Sequence, residues 1–390
     1  MGIANAVCVS LSFLSGLWIP ATLLCCIPWV QKQMLYLHNI TFFPGKRLDE
    51  PERAGFLKNQ ITPFRISTED GEQLFAWLIA PLGVYAKHAN ELIHEVLHGN
   101  DIEDRLAFKL LRSNPESRLL LYFHGNSATI AQERRCEEYR SYSAGASDTL
   151  FVLAFDYRGF GKSTGDPSEQ GLMRDAKAIV EWAVNTAGIP PERIVLLGHS
   201  LGTAVVSGVA HHFAQHDFAG IILCAAFTNA GNAFACYSIG GVVPVLAPLR
   251  MFSGFQAWFS ARMVDSWCSD IRLAEMARTR CRLNLVLVHA EDDTTMPWHE
   301  TEALFVSTVE AARAVNLHSQ DTGHKEPQMV DLGEAGWQEI WQSNAVRVSK
   351  TIAKHGGHNT SMKWSPVALT ILQVLGVGSA APQHTCSATV

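Results

Sequence analysis

Hydrophobic and polar positions change their period several times along the chain. TPFRIST (62–68) and EQLFAWLIAP (72–81) alternate polar with apolar residues and predict an early pair of strands. Continuous apolar runs follow: RLLLYFH (118–124), TLFVLAF (149–155), RIVLLGH (193–199), AGIILCAA (219–226) and LNLVLVHA (283–290). A strand covered on both faces has no polar side to present, so such runs fit the interior of a parallel sheet. Residues 170–187, 201–215 and 297–314 carry helical periodicity between them. This βαβ rhythm predicts an α/β fold with a mostly parallel, doubly wound sheet, in which chemistry gathers at the carboxyl ends of the strands.

Two stretches interrupt the rhythm. Residues 83–117 are mainly polar and helix-prone and predict a helical insertion. Residues 227–282 lie between two of the apolar runs and carry VVPVLAPLRMFSGFQAWF (242–259). A long insertion with its own apolar surface is expected to form a cap over the site, the alternative being a buried helical pair that enlarges the core. Residues 1–31 contain no charged side chain, and Lys32 is the first. An apolar stretch of that length can cross a hydrocarbon layer of ~30 Å. No basic start or small-x-small cleavage site is clear, so the expectation is a retained N-terminal membrane segment over 1–31. Pro20 and Pro28 keep a surface-lying piece open.

Composition narrows the function classes. A 390-residue chain that is 47% hydrophobic holds one large α/β domain with extras, or two small domains. Net charge is −6 and no basic block stands out, so nucleic acid is not an expected partner. Nine cysteines contain no C-x-x-C pair, which argues against a zinc framework or a disulfide scaffold. HEVLH (94–98) fits H-E-x-x-H, but it lies in a polar insertion with no third ligand pattern nearby, so no metal and no cofactor are expected.

The informative stretch is IVLLGHSLGTAV (194–205). Gly198-His199-Ser200-Leu201-Gly202 is G-x-S-x-G placed after an apolar run and before a helical pattern, the context that gives the motif weight. A serine on so sharp a turn is held under strain, and side chains at Gly198 or Gly202 are expected to collide with neighbouring strands. Ser200 is the candidate nucleophile, and it needs a base and an orienting acid. The acid is expected after a later strand, in HAEDDTTMP (289–297). Asp293, further beyond the strand end, is the candidate acid, with Asp292 expected to cap or hydrogen-bond the loop; spacing alone leaves the order of the two open. The base is expected after the last strand. AVNLHSQDTGHKEP (314–327) supplies a strand-like run and then His324, the candidate base. His355, His358 and His384, in or after a terminal helical pattern, are assigned no role. Backbone N–H groups of Leu201 and Asn126 are the candidate oxyanion donors, with Gly125 allowing close approach and His124 orienting the loop. Asp156 and Arg158 of FDYRGFGKSTG (155–165) are expected to brace a loop beside the site.

Together YFHGNSATI, FDYRGFGKSTG, GHSLGTAV, HAEDDTTMP and GHKEP resemble the α/β-hydrolase superfamily over roughly residues 60–350. With the apolar N-terminus, they are similar to its membrane lysophosphatidylserine and monoacylglycerol lipase branch. The resemblance implies an α/β-hydrolase fold with Ser200 as nucleophile, Asp293 as acid and His324 as base. It also implies hydrolysis of acyl esters of glycerol or lysophospholipids at the endoplasmic reticulum membrane. The expected plan is a membrane anchor over 1–31, a hydrolase domain over 60–356 that contains the 83–117 and 227–282 insertions, and a tail over 357–390. Two other functions fit the same fold, a palmitoyl-protein thioesterase and a non-catalytic binding scaffold. Lys32, Lys46 and Arg47 weakly favour a cytoplasmic catalytic domain, whereas the sequons at Asn39 and Asn359 permit a luminal one. The resemblance tips that balance slightly to the lumen.

Overall fold

The computed structural model describes residues 18–40, 46–96, 101–238, 246, 249, 252–279, 282–316, 326–343 and 346–377. Ten strands form one sheet: β1 (Ile61–Ser67), β2 (Gln73–Ile79), β3 (Arg118–Phe123), β4 (Leu150–Phe155), β5 (Ile194–His199), β6 (Gly220–Cys224), β7 (Leu283–Ala290), β8 (Gln328–Asp331), β9 (Gly336–Gln342) and β10 (Val346–Ala353). Their spatial order is β1-β2-β4-β3-β5-β6-β7-β10-β9-β8. From β4 to β10 every neighbour is parallel, while β1, β2, β9 and β8 extend the two edges antiparallel. The five apolar runs became β3 to β7, and each is buried along nearly its whole length because helices cover both faces.

Strand alternation sorts side chains into two apolar layers. Leu119, Leu121, Leu196, Leu223 and Leu287 face one layer, which also takes buried residues of the helices Glu169–Glu181, Leu201–His212 and His299–Asn316. Leu120, Tyr122, Leu197, Ile222 and Val288 face the other, against the helices Glu133–Ser143 and Ser365–Val374. The insertion at 83–117 contains helices Leu82–Lys87, Ala89–His94 and Leu106–Ser113. HEVLH does not continue a helix, since the turn ends at His94 and the Glu95 carboxylate accepts the Leu106 N–H at 2.7 Å. His98 lies outside the described residues.

Three expectations change. Residues 1–17 of the expected anchor lie outside the described residues, and 18–31 are not one spanning helix. Residues 18–24 are helical, a turn follows, and Pro28 starts a second helix, Pro28–Tyr36. None of the described helices is long and apolar enough to cross a membrane. The physical reason is that Pro28 cannot donate the bond that would continue the first helix, while the second is docked by polar contacts. The Gln31 amide donates to the Arg262 carbonyl at 3.0 Å and accepts from the Val264 N–H, and the Tyr36 hydroxyl donates to Asp265 at 2.7 Å.

The end of the sheet is also different. Residues 314–316 finish the helix His299–Asn316, so the strand beside β7 is not the expected run near 318 but β10. Its sequence, VRVSKTIA, hid it, because Ser349 and Lys350 are polar yet buried. Lys350 tolerates burial because its ammonium meets Glu302 and Glu339 and lies over the rings of Phe305 and Trp337. Finally, residues 357–377 of the expected tail pack on the domain, and 378–390 lie outside the described residues. Met362, Val367 and Ile371 are buried in the second apolar layer. Substituting Ile371 by Ala is therefore expected to lower stability by about 2–5 kcal/mol, read as a shifted urea midpoint at constant slope.

Candidate active site

β5 ends in His199, and the chain turns into the helix Leu201–His212 through Ser200, whose φ of 51° and ψ of −118° lie outside the common regions. Such a backbone costs about 1–3 kcal/mol and persists because its surroundings leave no alternative. A Cβ on Gly202 would stand 2.0 Å from the Phe123 carbonyl oxygen at the end of β3. A Cβ on Gly198 would meet the Gly202 carbonyl oxygen at 2.4 Å, a clash with the helix of its own turn rather than a neighbouring strand. The Ser200 N–H donates to the Cys224 carbonyl of β6 at 2.9 Å.

The imidazole that meets Ser200 is that of His358. Its Nε2 lies 3.0 Å from the Ser200 Oγ, and its Nδ1 lies 2.7 Å from Asp293 Oδ2. His324 lies outside the described residues, and the expected position of the base is filled by His358, just after β10. His358 follows the strand that pairs with β7, which is β10 rather than the run near 318. The available signal was Gly356-Gly357-His358 directly after an alternating segment.

The adjacent acids divide the work of holding this imidazole. Asp293 Oδ1 accepts the N–H groups of Thr295 and Met296 at 2.8 and 2.9 Å, while Oδ2 faces His358 and, at 3.1 Å, His289 Nε2. Burial pushes its carboxyl upward, but the hydrogen bonds from His289 and His358 outweigh that and hold it well below the usual carboxylate range. Asp292 accepts the N–H groups of Gly356 at 3.2 Å and Gly357 at 2.7 Å, and so ties down the loop that carries His358. A third tie comes from His199, whose Nε2 donates to the His358 carbonyl at 2.8 Å. Burial pushes the His199 pKa well below its ordinary value, consistent with a neutral ring that donates from Nε2.

The loop after β3 lies beside the serine. No acceptor takes the backbone N–H of Asn126 or of Leu201 among the described residues. A Cβ on Gly125 would lie 3.3 Å from the Ser200 Cβ, so glycine permits the close approach. Arg135, which sequence reasoning missed, lies buried beneath this loop. Its guanidinium donates to the carbonyls of Thr129, Gly125, Asn126 and Ser127 at 2.8–3.3 Å. Ser127 and Ala128 both have positive φ, and their N–H groups donate to the Tyr36 and Ile40 carbonyls at 2.9 Å. Below the loop, Asp156 accepts the Ile130 N–H at 2.8 Å, and Arg158 is paired with Asp70 and Asp175, so this segment braces the site as expected.

Ser200, His358 and Asn126 open on a cavity of about 330 Å³. One wall is apolar, with Met34 and Leu35 from the N-terminal segment and Phe227, Phe234 and Leu246 from the 227–282 insertion. The lining also includes the polar residues Asn126, Gln132, Arg134 and Arg135. The described residues of the insertion thus contribute to enclosing the site.

The sheet order and the strained serine define the class, an α/β hydrolase. The chain belongs to the alpha/beta hydrolase family, whose profile it matches over residues 120–364. It is 30% identical over 299 residues to the lysophosphatidylserine lipase ABHD12 of Xenopus tropicalis, a match covering 76% of this chain and 70% of that one. The same-named protein of Rattus norvegicus is 28% identical over 283 residues, 71% of this chain and 63% of its own length. Protein ABHD12B of Homo sapiens is 32% identical over 191 residues, covering 48% and 49% of the two chains. An alpha-beta hydrolase from Vibrio vulnificus has a similar fold, with a TM-score of 0.54 at 16% identity, over 91% of this chain and 93% of that one.

Burial pushes the Asp156 carboxyl up to about 7 against the opposing pull of the Ile130 N–H and Arg135. The folded state therefore holds this proton where the unfolded chain has lost it. That contribution to stability is complete below about pH 4 and is lost as pH rises through about 7. Asp156→Asn, which keeps an acceptor for Ile130, is expected to flatten this portion of the profile and to be more stable than wild type above pH 7, measured by urea unfolding from pH 4 to 8.

Proposed function

We propose that the protein is a serine hydrolase that cleaves the acyl ester of lysophospholipids and monoacylglycerols at a membrane surface. The observation that carries this reading is His358 set between Ser200 and Asp293 at hydrogen-bond distance from both. Ser200 Oγ attacks the ester carbonyl as His358 Nε2 takes its proton, and Asp293 holds the imidazole by its Nδ1–H. The N–H groups of Leu201 and Asn126 receive the developing oxyanion. His358 returns the proton to the departing glycerol oxygen, which leaves an acyl-enzyme. Water, deprotonated by the same imidazole, then releases the fatty acid and restores Ser200.

The apolar wall of the cavity suits an acyl chain, and the similarity to lysophosphatidylserine lipases supports a lysophospholipid ester. A membrane contact is supported by side chains exposed on the N-terminal segment and the insertion. Leu23, Leu24, Trp29, Phe252 and Phe255 are each about half exposed or more, and Trp18 packs edge-on against Phe255, which joins the two groups. The membrane we propose is that of the endoplasmic reticulum, with the domain in the lumen. Of the two sequons, Asn39 is exposed, whereas Asn359 lines the cavity, so Asn39 is the position open to a glycan.

The test compares Ser200→Ala, His358→Ala and His324→Ala on lysophosphatidylserine and monoacylglycerol. The first two variants are expected to lose turnover by about 10³-fold or more, and Ser200→Ala to lose fluorophosphonate labelling. His324→Ala is expected to retain turnover near wild type. Loss in His324→Ala with retention in His358→Ala would reverse the assignment of the base.

A further inference from the structure

We infer that Arg134 is the specificity residue for the leaving side of the ester and receives a phosphodiester head group; this rests on the lipase reading above. The chain carries more acids than bases, 37 against 31, yet the described cavity lining contains two arginines and no Asp or Glu. Arg135 is occupied, with its guanidinium spread over four carbonyls of the loop after β3. Arg134 is not. Its side chain is 28% exposed, its Nε has no hydrogen-bond partner, and its guanidinium donates to no group among the described residues.

The nearest countercharge is Glu138, whose Oε1 lies 3.5 Å from Arg134 Nε. Glu138 is fully buried, and its other oxygen accepts the Tyr122 hydroxyl at 2.6 Å. Burial pushes the Glu138 carboxyl upward against the opposing pull of the Tyr122 hydroxyl and of Arg134. A partly buried guanidinium with unused donors, in a cavity whose described lining holds no carboxylate, matches a phosphate oxygen pair. Arg134 shares the cavity lining with the polar side chains Asn126 and Gln132. In a lysophospholipid only a few bonds separate the scissile carbonyl from the phosphate. Ser200 and Arg134 line one cavity of about 330 Å³, and in the proposed pose the carbonyl lies at the first and the phosphate at the second. A monoacylglycerol offers Arg134 only a hydroxyl.

The experiment measures kcat/KM of the full chain for 1-acyl lysophosphatidylserine and for a monoacylglycerol of the same acyl chain, in the same mixed micelles. Arg134→Gln is expected to lower the ratio of the two values about tenfold or more, chiefly through KM, and Arg134→Lys to recover some of it. An unchanged ratio in Arg134→Gln overturns the assignment. Should that variant fail to fold, wild-type protein decides. Glycerol 3-phosphate is expected to inhibit monoacylglycerol hydrolysis at concentrations where neither glycerol nor inorganic phosphate does. Equal inhibition by glycerol, or by inorganic phosphate alone, overturns the head-group role. Turnover of both esters by Ser200→Ala would instead sink the serine-hydrolase reading, whatever the ratio.

Discussion

The hydrogen bond from His358 to Asp293 is the contact on which the site depends. An imidazole turns about two single bonds, Cα–Cβ and Cβ–Cγ, and few of the resulting orientations point Nε2 at Ser200. Asp293 selects such an orientation, and it does so as an ionised group, because burial is outweighed by His289, His358 and two backbone N–H donors. The surrounding structure then removes the remaining freedom. Asp292 holds the backbone just before the imidazole, and His199 holds the carbonyl of the same residue. Two neighbouring carboxylates are compatible here because each has its own set of N–H partners and neither faces the other.

Much of the fold was legible because burial on both faces leaves a plain signature. β3 to β7 are runs of apolar residues, and Ser200 stands in a glycine pattern that steric contact with Phe123 makes obligatory. The far edge of the sheet was not legible for the opposite reason. β10 is as central as the others, between β7 and β9, but it contains Lys350, whose charge is answered by Glu302 and Glu339 from other elements. Polar residues that are satisfied only in three dimensions resemble surface residues in one. The imidazole found beside Ser200 follows that strand and is His358, while His324 lies outside the described residues.

The described part of the N-terminal segment carries a sequence signal that reads two ways. An uncharged apolar stretch suits a membrane, and it equally suits one wall of a lipid-sized cavity. Met34 and Leu35 line that cavity, Gln31 and Tyr36 dock onto the insertion, and the Tyr36 carbonyl accepts a hydrogen bond from Ser127 beside Asn126. Length and hydropathy carry no information about these polar anchors, which are single residues in an apolar background. The segment thus couples the outer surface of the molecule to the loop that holds the candidate oxyanion donor.

The span between Ser200 and His358 has a bearing on biosynthesis. Everything from β1 to the strained serine turn precedes residue 201, whereas its imidazole partner arrives only after β10 has slotted between β7 and β9. A nascent chain emerging from the ribosome carries the alcohol long before it carries a group able to deprotonate it. In the proposed mechanism, a chain that ends before β10 carries Ser200 without the imidazole that deprotonates it.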